Sequence, residues 1–171
     1  MVMQAASDRQ ITFSLPHTLA PTTVSVQSPA FGEGLPIPPV NSAYGASEPP
    51  EICWRNIPAG TQSLALVCED PDAENPCPFV HWILYNIPPD AGSTHSAGIV
   101  AAAEGVNSRG LPGYSGPRPP AGDRPHHYHF QVFALDALHP LPVGIERRAL
   151  LDAIAGHVIA KGELVGTFTA P

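Results

Sequence analysis

Prolines and glycines decide what this chain can fold into. There are 22 prolines and 15 glycines among 171 residues. A proline removes a backbone donor and disrupts a helix interior or a central strand, so regular structure has to fit between these breaks. Three segments pass that filter as strands. Ser63 to Glu69 is a continuous apolar run bounded by Gly60 and Pro71, the pattern of a strand buried on both faces. Val80 to Ile87 is aromatic and β-branched and stops at Pro88-Pro89. Tyr128 to Leu135 emerges from a proline-rich loop over residues 111–125. Weaker β-like alternation runs from Ile11 to Val26 across Pro16 and Pro21, and an extended pattern returns from Leu164 to Thr169.

Elsewhere the breaks favour loops. Ser28 to Pro50 reads as an ordered loop pinned by Ala30-Phe31, and Gly and Pro prevent a long helix between Asp90 and Asp123. One amphipathic helix is expected, Ile145 to Lys161, because Leu150, Leu151, Ile154 and Val158 share a face. Gly162 then sits where a left-handed cap would end it. The expected architecture is mainly β, with one late helix and long Pro/Gly-rich loops. Residues 1–10 read as a flexible N-terminus and 11–171 as a single domain.

Charge and length narrow the function classes. A domain of this size buries a core without a metal or disulfide staple. Eight basic and 15 acidic residues give a net charge of −7, which repels nucleic acid and anionic membrane surfaces. No apolar run reaches the length of a membrane span, and no signal peptide is visible behind Met1. Cys53, Cys68 and Cys77 form no CxxC motif and cannot all pair within the chain, which suits reduced thiols and a cytoplasmic setting.

Polar groups gather where the central strands end. Asp70-Pro71-Asp72 closes the first strand, with Asp70 on the face of Cys68 and Leu66. His81 lies in the second strand. His126 and Tyr128 begin the third and point the same way, whereas His127 and His129 take the opposite face. Read alone, Asp-Pro-Asp is an ordinary turn and His81 a core histidine. The histidine cluster splits across two faces and lacks Cys or carboxylate partners at metal spacing, so no metal is expected. The combination is what points to a site.

That combination resembles a known family. Leu64-Ala65-Leu66 through Asp70-Pro71-Asp72-Ala73, with His81-Trp82 after it, is similar to the first signature of the phosphatidylethanolamine-binding protein (PEBP) or Raf kinase inhibitor-like family. Gly113-Tyr114-Ser115-Gly116-Pro117 to His126-His127-Tyr128-His129-Phe130, then Ala134-Leu135-Asp136, resembles the second. Further matching positions, such as Ser28-Pro29-Ala30-Phe31 and Ala155-Gly156-His157-Val158, extend the resemblance from about residue 24 to 169. The bacterial and archaeal branch fits best, because the chain stops soon after Phe168 without the C-terminal helical extension of animal members.

The resemblance implies two antiparallel β-sheets and a small anion pocket for phosphate, phosphate esters, phospholipid head groups or carboxylates. By motif position the pocket would be lined by Asp70, Asp72, His81, Gly116, Pro117, His126 and Tyr128. It also implies a regulatory, inhibitor-like role towards kinases or proteases, and a homodimer. No cofactor is expected. Glu74 departs from the family pattern at the rim, and Arg118 can offset it. The alternative is a hydrolase acting on small phosphate esters through the same Asp/His pocket. With no GxSxG elbow, evident Cys–His pair or metal set, binding rather than catalysis is expected.

An anion beside two aspartates needs protons. A dianionic phosphate about 4 Å from a carboxylate is repelled by several kcal/mol at an effective dielectric near 20. Protonation of His81 or His126, or a proton kept by the ligand, would relieve this, with Gly116 N–H and the Tyr128 hydroxyl as neutral donors. Affinity is therefore expected to rise as pH falls from 8 toward 6.

Overall fold

The structure, a computed structural model, describes residues 9–171. Most of the expected flexible N-terminus, residues 1–8, lies outside the described residues. Five strands form the main sheet: β3 (Ser63–Asp70), β4 (Phe79–Ile87), β5 (Ala103–Glu104), β6 (His126–Leu135) and β7 (Val158–Phe168). Their order is β5-β4-β3-β6-β7, all antiparallel. A two-stranded antiparallel sheet of β1 (Ser25–Gln27) and β2 (Cys53–Arg55) packs with the loops against one face.

All eight residues of β3 are buried, which is why its sequence reads as an unbroken apolar run. Leu64, Leu66 and Cys68 face a core with Trp54, Phe130 and Val132. Ala65 and Val67 face a second core with Phe133 and the helix residues Leu150 and Ile154. Phe31 anchors the 28–50 loop in the first core, 5.5 Å from the Phe130 ring.

Two expectations fail locally. The helix α1 covers only Arg147–Ile154. Gly156, with φ +79°, ends it, and the β-branched Val158-Ile159 pair enters β7. Gly162 is a strand residue, not a cap. A Cβ there would run into the Val24 carbonyl, so glycine is what lets the chain at Val24 lie close alongside β7. The alternation from Ile11 to Val26 likewise becomes strand only at its end, where Ser25-Val26 enter β1. It forms short 3₁₀ turns at Thr12–Ser14 and Pro16–Thr18 before β1, because the prolines break the ladder. The polar side chains of this segment point inward: Glu69, wholly buried, accepts from Thr12 N–H (2.7 Å) and Thr12 Oγ1 (2.9 Å) and pairs with Arg147 Nε (2.5 Å).

Antiparallel pairing brings the end of β3, the starts of β4 and β6 and the end of β7 together at one end of the sheet. Asp70 pairs with Phe79, and His126 with Phe168. The candidate site lies there.

Candidate functional site

Asp70 and His126 form the floor of a cavity of about 260 Å³. Both are about 97% buried. His126 Nδ1 lies 2.8 Å from Asp70 Oδ2, and Nε2 lies 3.0 Å from Asp123 Oδ2. Both ring nitrogens can donate only in the imidazolium form. Burial disfavours that charge, but the hydrogen bonds donated to Asp123 and Asp70 overcome it and hold the His126 pKa above its ordinary value. Asp70 is fixed by its second oxygen, which accepts from Asp72 N–H (2.8 Å). The Asp70–Pro71 bond is trans.

His81 has the opposite state. Its Nδ1–H donates to the Ser115 carbonyl at 2.6 Å, which leaves Nε2 as an acceptor. Burial pushes its pKa down to about 4, and the Ser115 carbonyl only partly opposes this. The ring sits against Phe79 (4.8 Å between centroids) and meets Tyr128 edge-on (5.1 Å). Between pH 8 and 6, His81 therefore stays neutral. Of the two histidines expected to take up the proton, His126 is therefore the one whose surroundings favour the charge. Tyr128 lines the cavity, and burial, with Asp70 beside it, pushes its hydroxyl pKa well up, so it remains an O–H donor.

The other expected residues stand behind or beside the cavity. Asp72 turns outward: its Oδ2 accepts from His127 N–H (2.9 Å) and Nδ1 (2.7 Å), and its Oδ1 pairs with Arg124 (2.9 Å). Partial burial raises its pKa, but the two hydrogen bonds from His127 and the Arg124 charge bring it below the ordinary carboxylate value. Gly116 does not offer its amide to a ligand, because that N–H donates to Ser47 Oγ at 2.8 Å. Its role is close approach: a Cβ there would lie 2.7 Å from Asn41 O and Ala43 N. Pro117 is buried, and its carbonyl accepts from Ala43 N–H (2.9 Å).

Sequence reasoning missed Asp123 and Arg109, which both line the cavity, as does the expected Arg118. The i, i+3 spacing of Asp123 and His126 behind Gly122 was the available signal for the first. Nothing local marked Arg109. Around the cavity, three acids (Asp70, Glu74, Asp123) face three cations (His126, Arg109, Arg118), so the site escapes the net charge of −7. Arg109 and Arg118 are exposed and make no ion pair among the described residues.

Comparison with known proteins gives one family. The profile described as phosphatidylethanolamine-binding protein matches residues 27–169. A UPF0098 protein of Chlamydia muridarum is 36% identical over 149 residues, covering 85% of this chain and 98% of the relative. LppC of Mycobacterium tuberculosis, whose given name includes the word lipoprotein, is 42% identical over 146 residues, 85% of this chain and 72% of its own. Among solved structures, the PEBP homologue CT736 of Chlamydia trachomatis superposes with a TM-score of 0.80 at 34% identity, covering 88% of this chain and 99% of its own. E. coli YbcL, described as a new member of the mammalian PEBP family, gives 0.79 at 25% identity, covering 86% and 99%.

Proposed function

Since the chain belongs to the phosphatidylethanolamine-binding protein family, we propose that it is a receptor for small oxyanions: phosphate, phosphate esters and their head-group forms, or carboxylates. The observation that carries this reading is the buried His126 ring, with a carboxylate oxygen within hydrogen-bond distance of each ring nitrogen, at the floor of a cavity rimmed by two arginines without acid partners among the described residues. Arginine forks suit phosphate and carboxylate oxygens. The Tyr128 hydroxyl adds a neutral donor. Neutral His81 adds an acceptor, which favours a ligand that keeps a proton.

We read this as binding, not catalysis. No Ser, Thr, Cys or Lys lines the cavity among the described residues. Cys68 is wholly buried, and burial pushes its thiol pKa well up. A regulatory role towards kinases or proteases rests on the same chemistry, since such a pocket accepts a phosphorylated side chain or a C-terminal carboxylate. No helix among the described residues is long and apolar enough to cross a membrane. The free cysteines, one of them exposed, support a reducing, cytoplasmic compartment.

The test is calorimetric titration with inorganic phosphate, phosphoserine and glycerophosphoethanolamine at pH 6, 7 and 8. Affinity should strengthen as pH falls, because His126 keeps its proton below its raised pKa, and should be lost in His126→Gln. No binding of any of the three at millimolar concentration would overturn the reading.

A further inference from the structure

The Asp123 carboxylate stands where an anion's oxygen would be expected. Of the two N–H groups of His126, Nδ1 is committed to the buried Asp70. Nε2 is held instead by Asp123 Oδ2 at 3.0 Å, from a side chain 38% exposed. The segment that carries Asp123 is loosely attached. Every residue from Pro120 to Pro125 is exposed. Its one backbone-to-backbone hydrogen bond among the described residues is internal, Asp123 N–H to the Pro120 carbonyl (3.2 Å). Gly122 has φ +83° with open space where a Cβ would be. Apart from Asp123–His126, the polar tie from this turn to the body is Arg124 with Asp72 at 2.9 Å, itself at the surface.

We propose that Asp123 is a tethered stand-in for the ligand: its carboxylate fills the His126 Nε2 position in the free protein, and a small oxyanion binds by displacing it and moving the 120–125 turn. This deepens the oxyanion-receptor reading and rests on it. Two consequences follow. The tether competes at a fixed, concentration-independent strength, so weak oxyanions are screened out. Selectivity then falls on ligands that also engage Arg118 or Arg109, which Asp123, bonded to His126 and to its neighbour Arg124 N–H (3.0 Å), leaves free. Occupancy is also coupled to a surface change, because the displaced turn carries Arg124 away from Asp72.

The test uses the full chain as wild type, Asp123→Ala and Asp123→Asn at pH 6.0, with inorganic phosphate and acetate as probes. Histidine ¹H–¹⁵N spectra follow His126 Nε2, and a dispersed amide spectrum reports the fold. Asp123→Ala should bind phosphate at least about tenfold more tightly than wild type, a gain equivalent to about 1.4 kcal/mol. Acetate added to Asp123→Ala should return the His126 Nε2–H resonance toward its wild-type position. Asp123→Asn, a neutral and weaker acceptor, should fall between the two. If wild type binds phosphate and Asp123→Ala binds it equally or more weakly, Asp123 only positions His126 and the stand-in proposal is overturned. If neither protein binds either anion, the receptor reading fails with it.

Discussion

The neutral state of His81 has a measurable consequence for stability. An unfolded histidine titrates near 6.5, whereas burial pushes the His81 pKa down to about 4. The unfolded chain therefore binds more protons between these values, and stability must rise with pH across that window. That depression corresponds to about 3 kcal/mol in full, most of which is lost on going from pH 7.5 to 4.5. The ring is 96% buried, so solvent screening takes little from this figure. His139, also shifted down by burial, adds a slope of the same sign, so the informative quantity is a difference between two proteins. Urea unfolding from pH 4.5 to 7.5 should show wild type losing about 2–3 kcal/mol more than His81→Phe at the acid end. The phenylalanine ring keeps the packing on Phe79 and Tyr128 but orphans the Ser115 carbonyl, a cost of about 1–3 kcal/mol that is the same at every pH. Equal pH slopes in the two proteins, or a His81 ring in wild type that titrates near 6.5, would refute the reasoning.

Other perturbations follow from single contacts. His126 has the opposite sign to His81: its raised pKa contributes stability that is complete below about 6.5 and lost as pH climbs through the folded value, so His126→Gln should flatten the alkaline side of the profile. Gly116→Ala should cost about 1–3 kcal/mol in thermal or urea unfolding, because the new Cβ meets rigid backbone at Asn41 and Ala43. Arg147→Met should cost about 3 kcal/mol by leaving the wholly buried Glu69 carboxylate without its cation. The loss stays at the lower end because Thr12 and Gln131 still donate to Glu69. Asp72→Ala should cost about 1–2 kcal/mol near neutrality, from the two His127 hydrogen bonds. That deficit should vanish on acidification, since a depressed carboxyl contributes above about 3.8 and loses its contribution as pH falls through the lower folded value.

The central sheet was legible because its strands are buried on both faces and end at prolines. Ser63 to Glu69 and Val80 to Ile87 lie within one residue of β3 and β4. The helix was over-read for a physical reason. Val158 continues the apolar spacing of Leu150, Leu151 and Ile154, yet the positive φ of Gly156 turns the chain before that residue can join the face. In the site, local motifs located Asp70, His81, His126 and Tyr128 but not their proton states. Those depend on partners far along the chain: the Ser115 carbonyl lies 34 residues from His81, and Asp70 lies 56 from His126. Asp72 and Gly116 belong to the right motifs, yet their polar groups are spent on His127, Arg124 and Ser47. Only the folded loop shows this.

The central claim, a charged His126 beside a neutral His81 forming an oxyanion receptor, is tested most directly by histidine ¹H–¹⁵N spectra of wild type during a phosphate titration at pH 6.5. The account predicts that His126 carries both ring protons before ligand, that its Nε2 resonance moves saturably with phosphate, and that His81 stays neutral and Nδ1-protonated throughout. A neutral His126, or ring resonances unmoved at millimolar phosphate, would contradict it.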